Sequence, residues 1–138
     1  MLRVVFDTNV YISAFIFSGS RAEEAYELAV AGKVELFSSV PILTETARKL
    51  REKFSWNDDR ITTALKHISK VSVVIKPGVH LEVLKDMPDN RVLECAQAAK
   101  AHLIVTGDKH LLDLKEYAGI GITRISGFLY SVPKWQAD

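Results

Sequence analysis

Short apolar runs alternate with segments of helical pattern along the whole chain. Five runs are short and lack polar alternation, as is typical of strands buried on both faces: 2–6, 34–37, 71–75, 102–105 and 121–123. The segments between them carry helical spacing of apolar residues or the residues that start and stop helices: 10–17, 22–31, 41–54, 57–70, 87–101, 110–114 and 125–130. This alternation predicts a series of βαβ units.

Repeated βαβ units favour one fold class. Right-handed crossovers place helices on both faces of a parallel sheet, so we predict an α/β fold, a three-layer α/β/α sandwich with a central, mainly parallel sheet of about five strands. A chain of 138 residues without a linker, a repeat or a low-complexity segment is expected to form a single domain over 1–138. In such folds ligands bind beyond the carboxyl ends of the strands, where the strand order reverses.

Four acidic residues from distant parts of the chain are predicted to lie at that edge. Asp7 follows the first strand directly, and Asp108 follows the strand in "LIVTG". Glu45 is one turn into the helix that begins near Pro41, and Asp89 is in the first turn of the helix entered through Pro88. Helices that follow parallel strands begin at the carboxyl edge, so the four carboxylates are expected to line one cleft.

A purely structural role is the alternative for some of these acids. The helix dipole favours an acid in a first turn by about 0.3–1 kcal/mol, which would account for Asp89 and Asp108 separately. Asp7 follows a buried strand, and Glu45 lies beyond the free N–H groups of its helix, so neither has that explanation. The coincidence of all four favours a functional cleft.

Clustered carboxylates favour binding of a hard cation. They repel one another and raise one another's pKa values, and a divalent cation removes that conflict. Oxygen-only ligands select Mg²⁺ or Mn²⁺, and we expect one or two ions. Four scattered histidines and the single cysteine, Cys95, argue against a zinc site.

Other well-known nucleotide and hydrolase sites lack their sequence signatures here. The chain has no P-loop, no dinucleotide-binding G-x-G-x-x-G and no G-x-S-x-G nucleophile elbow. "DTN" lacks the second acid, two residues on, that a haloacid-dehalogenase-type phosphatase needs. A receiver domain would need an Asp after the third strand, where this chain has "VVIKPG".

Charge is unevenly distributed along the chain. The formal net charge is only +1, but residues 48–76 carry eight Lys or Arg against three acids, a local net charge of +5. This basic segment, with Phe54 and Trp56, could bind phosphates and stack on bases. Alternatively, it could be a solvated helical face, with the two aromatics in core or dimer contacts. Cys95 alone cannot form an internal disulfide, and the apolar run after Asn9 is too short to span a membrane. We therefore expect a cytoplasmic protein with no membrane contact.

Four motifs occur in an order that identifies a family. "VVFDTNV", the Glu-bearing helix of "SSVPILTE", "PDNRVLECA" and "LIVTGDKHLL" together resemble the PIN domain family throughout the chain, most closely its prokaryotic VapC-like toxin components of toxin–antitoxin systems. The resemblance implies a metal-dependent endoribonuclease, with Asp7, Glu45, Asp89 and Asp108 at the family's acidic positions. The alternative is a non-catalytic RNA-binding or protein-interaction module on the same fold.

The third acidic position can be aligned in two ways. We favour Asp89, but the position could also fall on Asn90, with Glu94 supplying the carboxylate from the same helical face. Asn90 and Glu94 are therefore predicted to be auxiliary. Asn9 is predicted to orient Asp7 or a water, although a helix cap would explain it equally well. Thr8 and Thr106 could contact a phosphate or could serve only in their turns.

Single-stranded RNA is the expected substrate, and its phosphates need cations near the acidic cleft. The predicted RNA-binding residues are Arg48, Lys49, Arg51, Lys53, Arg91 and Lys109. The resemblance also implies a small antitoxin, which would offer an Arg or Lys to the carboxylates and an amphipathic helix to a groove between helices 22–31 and 41–54. The same apolar surface could instead form a homodimer, which we also expect.

Overall fold

A six-stranded sheet forms the centre of the molecule. The structure is a computed structural model and describes residues 1–136. The strands are β1 (Arg3–Phe6), β2 (Glu35–Ser39), β3 (Ser72–Ile75), β4 (Leu103–Val105), β5 (Glu116–Tyr117) and β6 (Ile120–Thr123), in the order β3-β2-β1-β4-β6-β5. All neighbours are parallel except β5 and β6. The five predicted strands are present. The sixth, β5, has only two residues, which is too short for a recognisable hydrophobic pattern.

Seven helices surround this sheet within the described residues. They are α1 (Thr8–Ile16), α2 (Arg21–Val30), α3 (Val40–Phe54), α4 (Asp58–Val71), α5 (Met87–Ala99), α6 (Lys109–Asp113) and α7 (Ile125–Gln136). Local sequence fixes several starts: Ser20 and Asn57 cap α2 and α4 through their side-chain oxygens, and a proline stands in the first turn of α3 and of α5. None of the helices over residues 1–136 is both long and apolar enough to cross a bilayer.

The chain direction across the sheet reverses beside β1. From β1 the chain moves one way to β2 and β3, then α5 carries it back over the sheet to β4 on the other side of β1. Crossovers between parallel strands are almost always right-handed, and with this strand order that rule places α1–α4 on one face and α5 on the other, in agreement with the three-layer sandwich. The strand order therefore reverses between β1 and β4, and the carboxyl ends of these two strands are where a ligand is expected.

The core holds β1 rigidly up to its last residue. Val4, Val5 and Phe6 have no solvent exposure, and the ring of Phe6 contacts those of Tyr11 and Phe128 at centroid distances of 5.7 and 5.6 Å. A fully buried strand is rigid because each side chain is packed on all sides. Asp7, the next residue, is therefore presented from a fixed support.

Helix α7 extends beyond its predicted end. The prediction ended this helix at residue 130. The helix nevertheless runs to Gln136, through Pro133, which lacks a backbone donor. Tertiary contacts explain the extension: Val132 is 3% exposed, and the Trp135 ring lies 4.5 Å from that of His102 between centroids. Packing of this helix on the sheet thus outweighs the local cost of one hydrogen bond.

Candidate active site

Asp7 stands where β1 becomes α1. Its backbone N–H donates to Val105 O at 3.0 Å, and its Oδ1 accepts from the Thr8 N–H at 2.7 Å, so it caps the helix it precedes. The residue is only 6% exposed. Burial raises the pKa of this carboxyl, although hydrogen bonds from Thr106 and Thr8 and the charge of Lys49 act in the opposite direction.

A single hydroxyl connects Asp7 to Asp108. Thr106 Oγ1 donates to Asp7 Oδ2 at 2.8 Å and accepts from the Asp108 N–H at 2.9 Å. Asp108 in turn caps α6, because its Oδ1 accepts from the N–H groups of His110 and Leu111. Thr106 has no solvent exposure, so its hydroxyl positions two carboxylates and is not open to a substrate phosphate. Sequence analysis did not identify this role.

Asp89 completes a cluster of three carboxylates. It lies in the first turn of α5, is 4% exposed, and its Oδ2 is buried without a hydrogen-bond partner. Burial raises the pKa of Asp89 to about 7, and the negative charges of Asp108, Asp86 and Asp7 add to the effect. The structure therefore brings Asp7, Asp89 and Asp108 close enough for each charge to act on its neighbours.

Glu45 is paired with a cation of its own helix and is not among the charges that act on the cluster. The Arg48 guanidinium binds both oxygens of Glu45 and also contacts Glu52. That hydrogen bonding is the main reason why the pKa of Glu45 is lowered. The charge of Lys49 lowers the pKa of both Glu45 and Asp7, so its ammonium lies within electrostatic range of both carboxylates. Its Nζ donates to Asn9 Oδ1 at 3.1 Å.

Asn90 and Glu94 bind the loop before α5 instead of joining the carboxylate cluster. Asn90 Oδ1 accepts from Leu84 N and Asn90 Nδ2 donates to Leu84 O, both at 2.8 Å. Glu94 Oε2 accepts from Leu81 N at 2.7 Å and from Arg91 Nη2 at 2.8 Å, and Arg91 Nη2 also donates to Leu81 O. These side chains fasten residues 81–84 to α5. Sequence periodicity could not indicate this role because the loop itself has no periodic pattern.

The predicted RNA-binding cations differ in what they contact. Arg48 and Arg91 pair with glutamates of their own helices, and Arg51 pairs with Asp58 at 2.9 Å. Lys49 reaches towards the carboxylates through Asn9, and the charge of Lys53 acts on Glu45. Lys109 is exposed at the start of α6, directly after Asp108.

The chemistry of the cluster fits a hard divalent cation. Across residues 1–136, no three His, Cys, Asp or Glu side chains stand in positions ready to hold a metal ion. The donors are nevertheless suitable: all are carboxylate oxygens, they repel one another, and the buried Asp89 Oδ2 has no partner. A cation would supply that partner and remove the repulsion. Glu45 could join only after leaving Arg48.

Comparison with known proteins assigns most of the chain to one family. The PIN domain model matches residues 3–110. The chain is 37% identical over 120 residues to uncharacterized protein MJ1680 of Methanocaldococcus jannaschii, covering 83% of this chain and 76% of that protein.

Two solved structures share the fold. VapBC2 from Rickettsia felis, bound to a DNA fragment from its promoter, has a TM-score of 0.64 at 14% identity, over 89% of this chain and 98% of that one. PAE2754 from Pyrobaculum aerophilum has a TM-score of 0.60 at 17% identity, over 97% and 98%. With the family match over most of its length and its acids at the strand-order reversal, this chain belongs to the PIN domain family.

Proposed function

We propose that the protein is a metal-dependent endoribonuclease that hydrolyses phosphodiester bonds of single-stranded RNA, as the toxin of a toxin–antitoxin pair. PIN domains are generally nucleases. The observation that carries the proposal is the cluster of Asp7, Asp89 and Asp108, with Asp89 Oδ2 buried and unpartnered. A site with only a structural role would not favour an unpartnered carboxylate oxygen among like charges.

The residues at the cluster have distinct roles in the proposed reaction. Asp7, Asp89 and Asp108 would hold one or two Mg²⁺ or Mn²⁺ ions, joined by Glu45 when Arg48 releases it. The bound metal supplies Lewis acidity, which makes water a nucleophile at neutral pH and stabilises charge on the phosphate. Thr106 fixes the orientation of Asp7 and of the Asp108 backbone through its two hydrogen bonds.

Substrate phosphates must approach a cleft of their own sign. Lys49 is the best placed of the predicted cations, because its ammonium lies next to Asn9 and its charge acts on Asp7 and on Glu45. It can bind the substrate phosphate close to the carboxylates, while Lys53 and Lys109 extend the positive surface on either side. Asn9 positions Lys49 and is itself exposed to the cleft.

Cleavage of a panel of RNAs with Mn²⁺, Mg²⁺ or EDTA tests the proposal. Single-stranded RNA should be cut with either metal and left intact in EDTA. Asp7→Asn should reduce cleavage to background because it removes one metal ligand charge without changing side-chain shape. Asp59→Asn, an exposed acid in the first turn of α4, is the matched control and should cut like the wild type. RNA binding without metal-dependent cleavage would instead support the non-catalytic module.

A further inference from the structure

A cavity opens at the same edge of the sheet as the carboxylate cluster, beyond the end of β3. Its volume is about 590 Å³, within the range of roughly 300–1,000 Å³ that is usual for ligand sites. Its apolar walls are Val40 and Pro41 from the start of α3, Val74 and Ile75 from the end of β3, and Pro77. Val40 and Val74 are 64% and 39% exposed, which is a large apolar surface to leave in water without a ligand.

The position of this cavity relates it to the carboxylate cluster. β3 is two strands from β1, and neighbouring strands are about 4.8 Å apart, so the end of β3 is about 10 Å from the end of β1. On α5, Glu94 lies five residues after Asp89, a rise of about 7.5 Å along the helix. An RNA strand with one phosphate at the carboxylates can therefore reach the cavity with a neighbouring nucleotide.

The cavity also has a polar edge suited to a base. Arg91 and Glu94 line it, with side chains that are 23% and 7% exposed. The contacts of Glu94 all use Oε2, and those of Arg91 use Nη2, so the second oxygen of Glu94 and the Nη1 group of Arg91 are left to pair with a ligand. Lys76, at the rim, is exposed and can bind a phosphate.

We infer that this cavity is a nucleobase site, which receives an unpaired base next to the scissile phosphate. The inference rests on the proposed ribonuclease function and adds a determinant of cleavage position. The base packs against the apolar walls, its hydrogen-bonding edge pairs with Glu94 and Arg91, and its phosphate lies near Lys76. Single-stranded RNA is commonly recognised in this way, by stacking of splayed bases and by hydrogen bonds to their edges. An apolar peptide would leave the Arg91 and Glu94 groups without partners.

A double-mutant cycle that combines protein substitutions with abasic RNAs tests the site. The best-cleaved short RNA is first identified with wild-type protein, and each base near the cut is then removed in turn. The variant is Val74→Glu, which places a negative charge in the cavity. Val73→Glu is the matched control, because adjacent strand residues face opposite sides and Val73, 48% exposed, does not line the cavity. Val40→Glu repeats the test from another element.

The effects of the protein substitution and of base removal are expected to be non-additive. For wild type and Val73→Glu, removing one particular base should lower kcat/KM, and affinity measured with Ca²⁺, by about tenfold, as expected for loss of one stacked base. For Val74→Glu and Val40→Glu the intact RNA should already show that loss, and removing the same base should cost little more.

Two other results would overturn the inference in distinguishable ways. If the wild type cleaves RNA and the costs of variant and abasic position add, the base does not occupy this cavity, and the groove is left to an apolar side chain of a protein partner. If the wild type neither binds nor cleaves any RNA, the proposed function fails and the nucleobase site fails with it.

Discussion

At the scale of single residues, the position of each acid at a strand end was predictable, but its partners were not. Asp7 directly follows a buried strand and Asp108 is three residues beyond the end of another, so their place at the carboxyl edge follows from chain direction alone. The role of Thr106 depends on a hydrogen bond between residues 99 positions apart. No local pattern encodes such a contact, and turn chemistry offered an adequate explanation of the same threonine.

Thr106→Val should separate the positioning role of the Thr106 hydroxyl from the packing of its side chain. The change keeps the shape but leaves Asp7 Oδ2 and the Asp108 N–H without their shared partner. We expect a loss of cleavage rate of about 10–100-fold and a fall in the free energy of unfolding of about 1–3 kcal/mol. Thr106→Ser, which retains the hydroxyl, should keep most of both. RNA cleavage and urea unfolding measure the two effects, and a wild-type rate in Thr106→Val would refute the positioning role.

Substitutions at Asp89 and at Glu94 should have different kinds of effect. Asp89→Asn should remove most of the cleavage activity, because it alters the cluster with Asp7 and Asp108. Glu94→Gln should retain more activity but should increase amide hydrogen exchange in residues 81–84, because it weakens the contacts to Leu81 N and Arg91. A larger loss of activity in folded Glu94→Gln than in Asp89→Asn would assign the third acidic position to the Asn90/Glu94 face.

The raised pKa of Asp89 predicts how stability varies with pH in metal-free protein. The pKa of the Asp89 carboxyl rises from 3.8 to about 7 on folding, so ionisation of this group destabilises the folded state relative to the unfolded chain. The free energy of unfolding should therefore fall as pH rises from about 4 to about 7. In EDTA, Asp89→Asn should lack that decline and should exceed the wild type by about 1–2 kcal/mol above pH ~7, a figure reduced for solvent screening.

The comparison is made by urea unfolding across this pH range, with Asp59→Asn as the control at an exposed acid. Equal pH dependence in wild type and Asp89→Asn would mean that burial of Asp89 has no energetic consequence. Added Mg²⁺ or Mn²⁺ should raise the stability of the wild type more than that of Asp89→Asn, since only the native cluster retains all its charges.

At the scale of secondary-structure elements, regular hydrophobic patterns predicted most elements correctly. Tertiary contacts explain where the structure differs from the prediction. Five strands were recognisable from short apolar runs, while two-residue β5 was not. Helix α7 continues past Pro133 because its C-terminal end packs on the sheet. On α3, spacing showed that Arg48, Lys49 and Lys53 share a basic helix, but could not show that Arg48 would pair with Glu45 and Glu52.

These pairings change what the basic segment should contribute to RNA affinity. Measured with Ca²⁺ to limit turnover, affinity should fall with salt, with a slope set by the number of phosphate contacts. Replacing Lys49 and Lys53 by Gln should flatten that slope almost as much as also replacing Arg48 and Arg51, because the two arginines are already paired with acids. An unchanged slope after all four substitutions would assign the surface to solvent or to another protein.

At the scale of the whole molecule, fold and family followed from motif order, while partners remain predictions. The likeness to VapBC2 shows a shared fold. We predict that expression of this chain alone slows growth, that Asp7→Asn relieves the effect, and that a small protein co-purifies from the native host. We also predict a homodimer, which light scattering on the purified protein would detect. Normal growth with wild-type protein, together with purification alone, would refute the toxin role and leave the nuclease role open.

The central position of β1 has a consequence for synthesis of the protein. β1 must pair on both sides, with β2 about thirty residues later in the chain and with β4 about a hundred residues later. Asp7 and Asp108 therefore cannot meet until the intervening residues, about a hundred, have been synthesised. Such distant pairing also slows folding. A growing chain that has not yet reached β4 has no assembled carboxylate cluster, so the proposed nuclease activity is expected only after β4 has emerged from the ribosome.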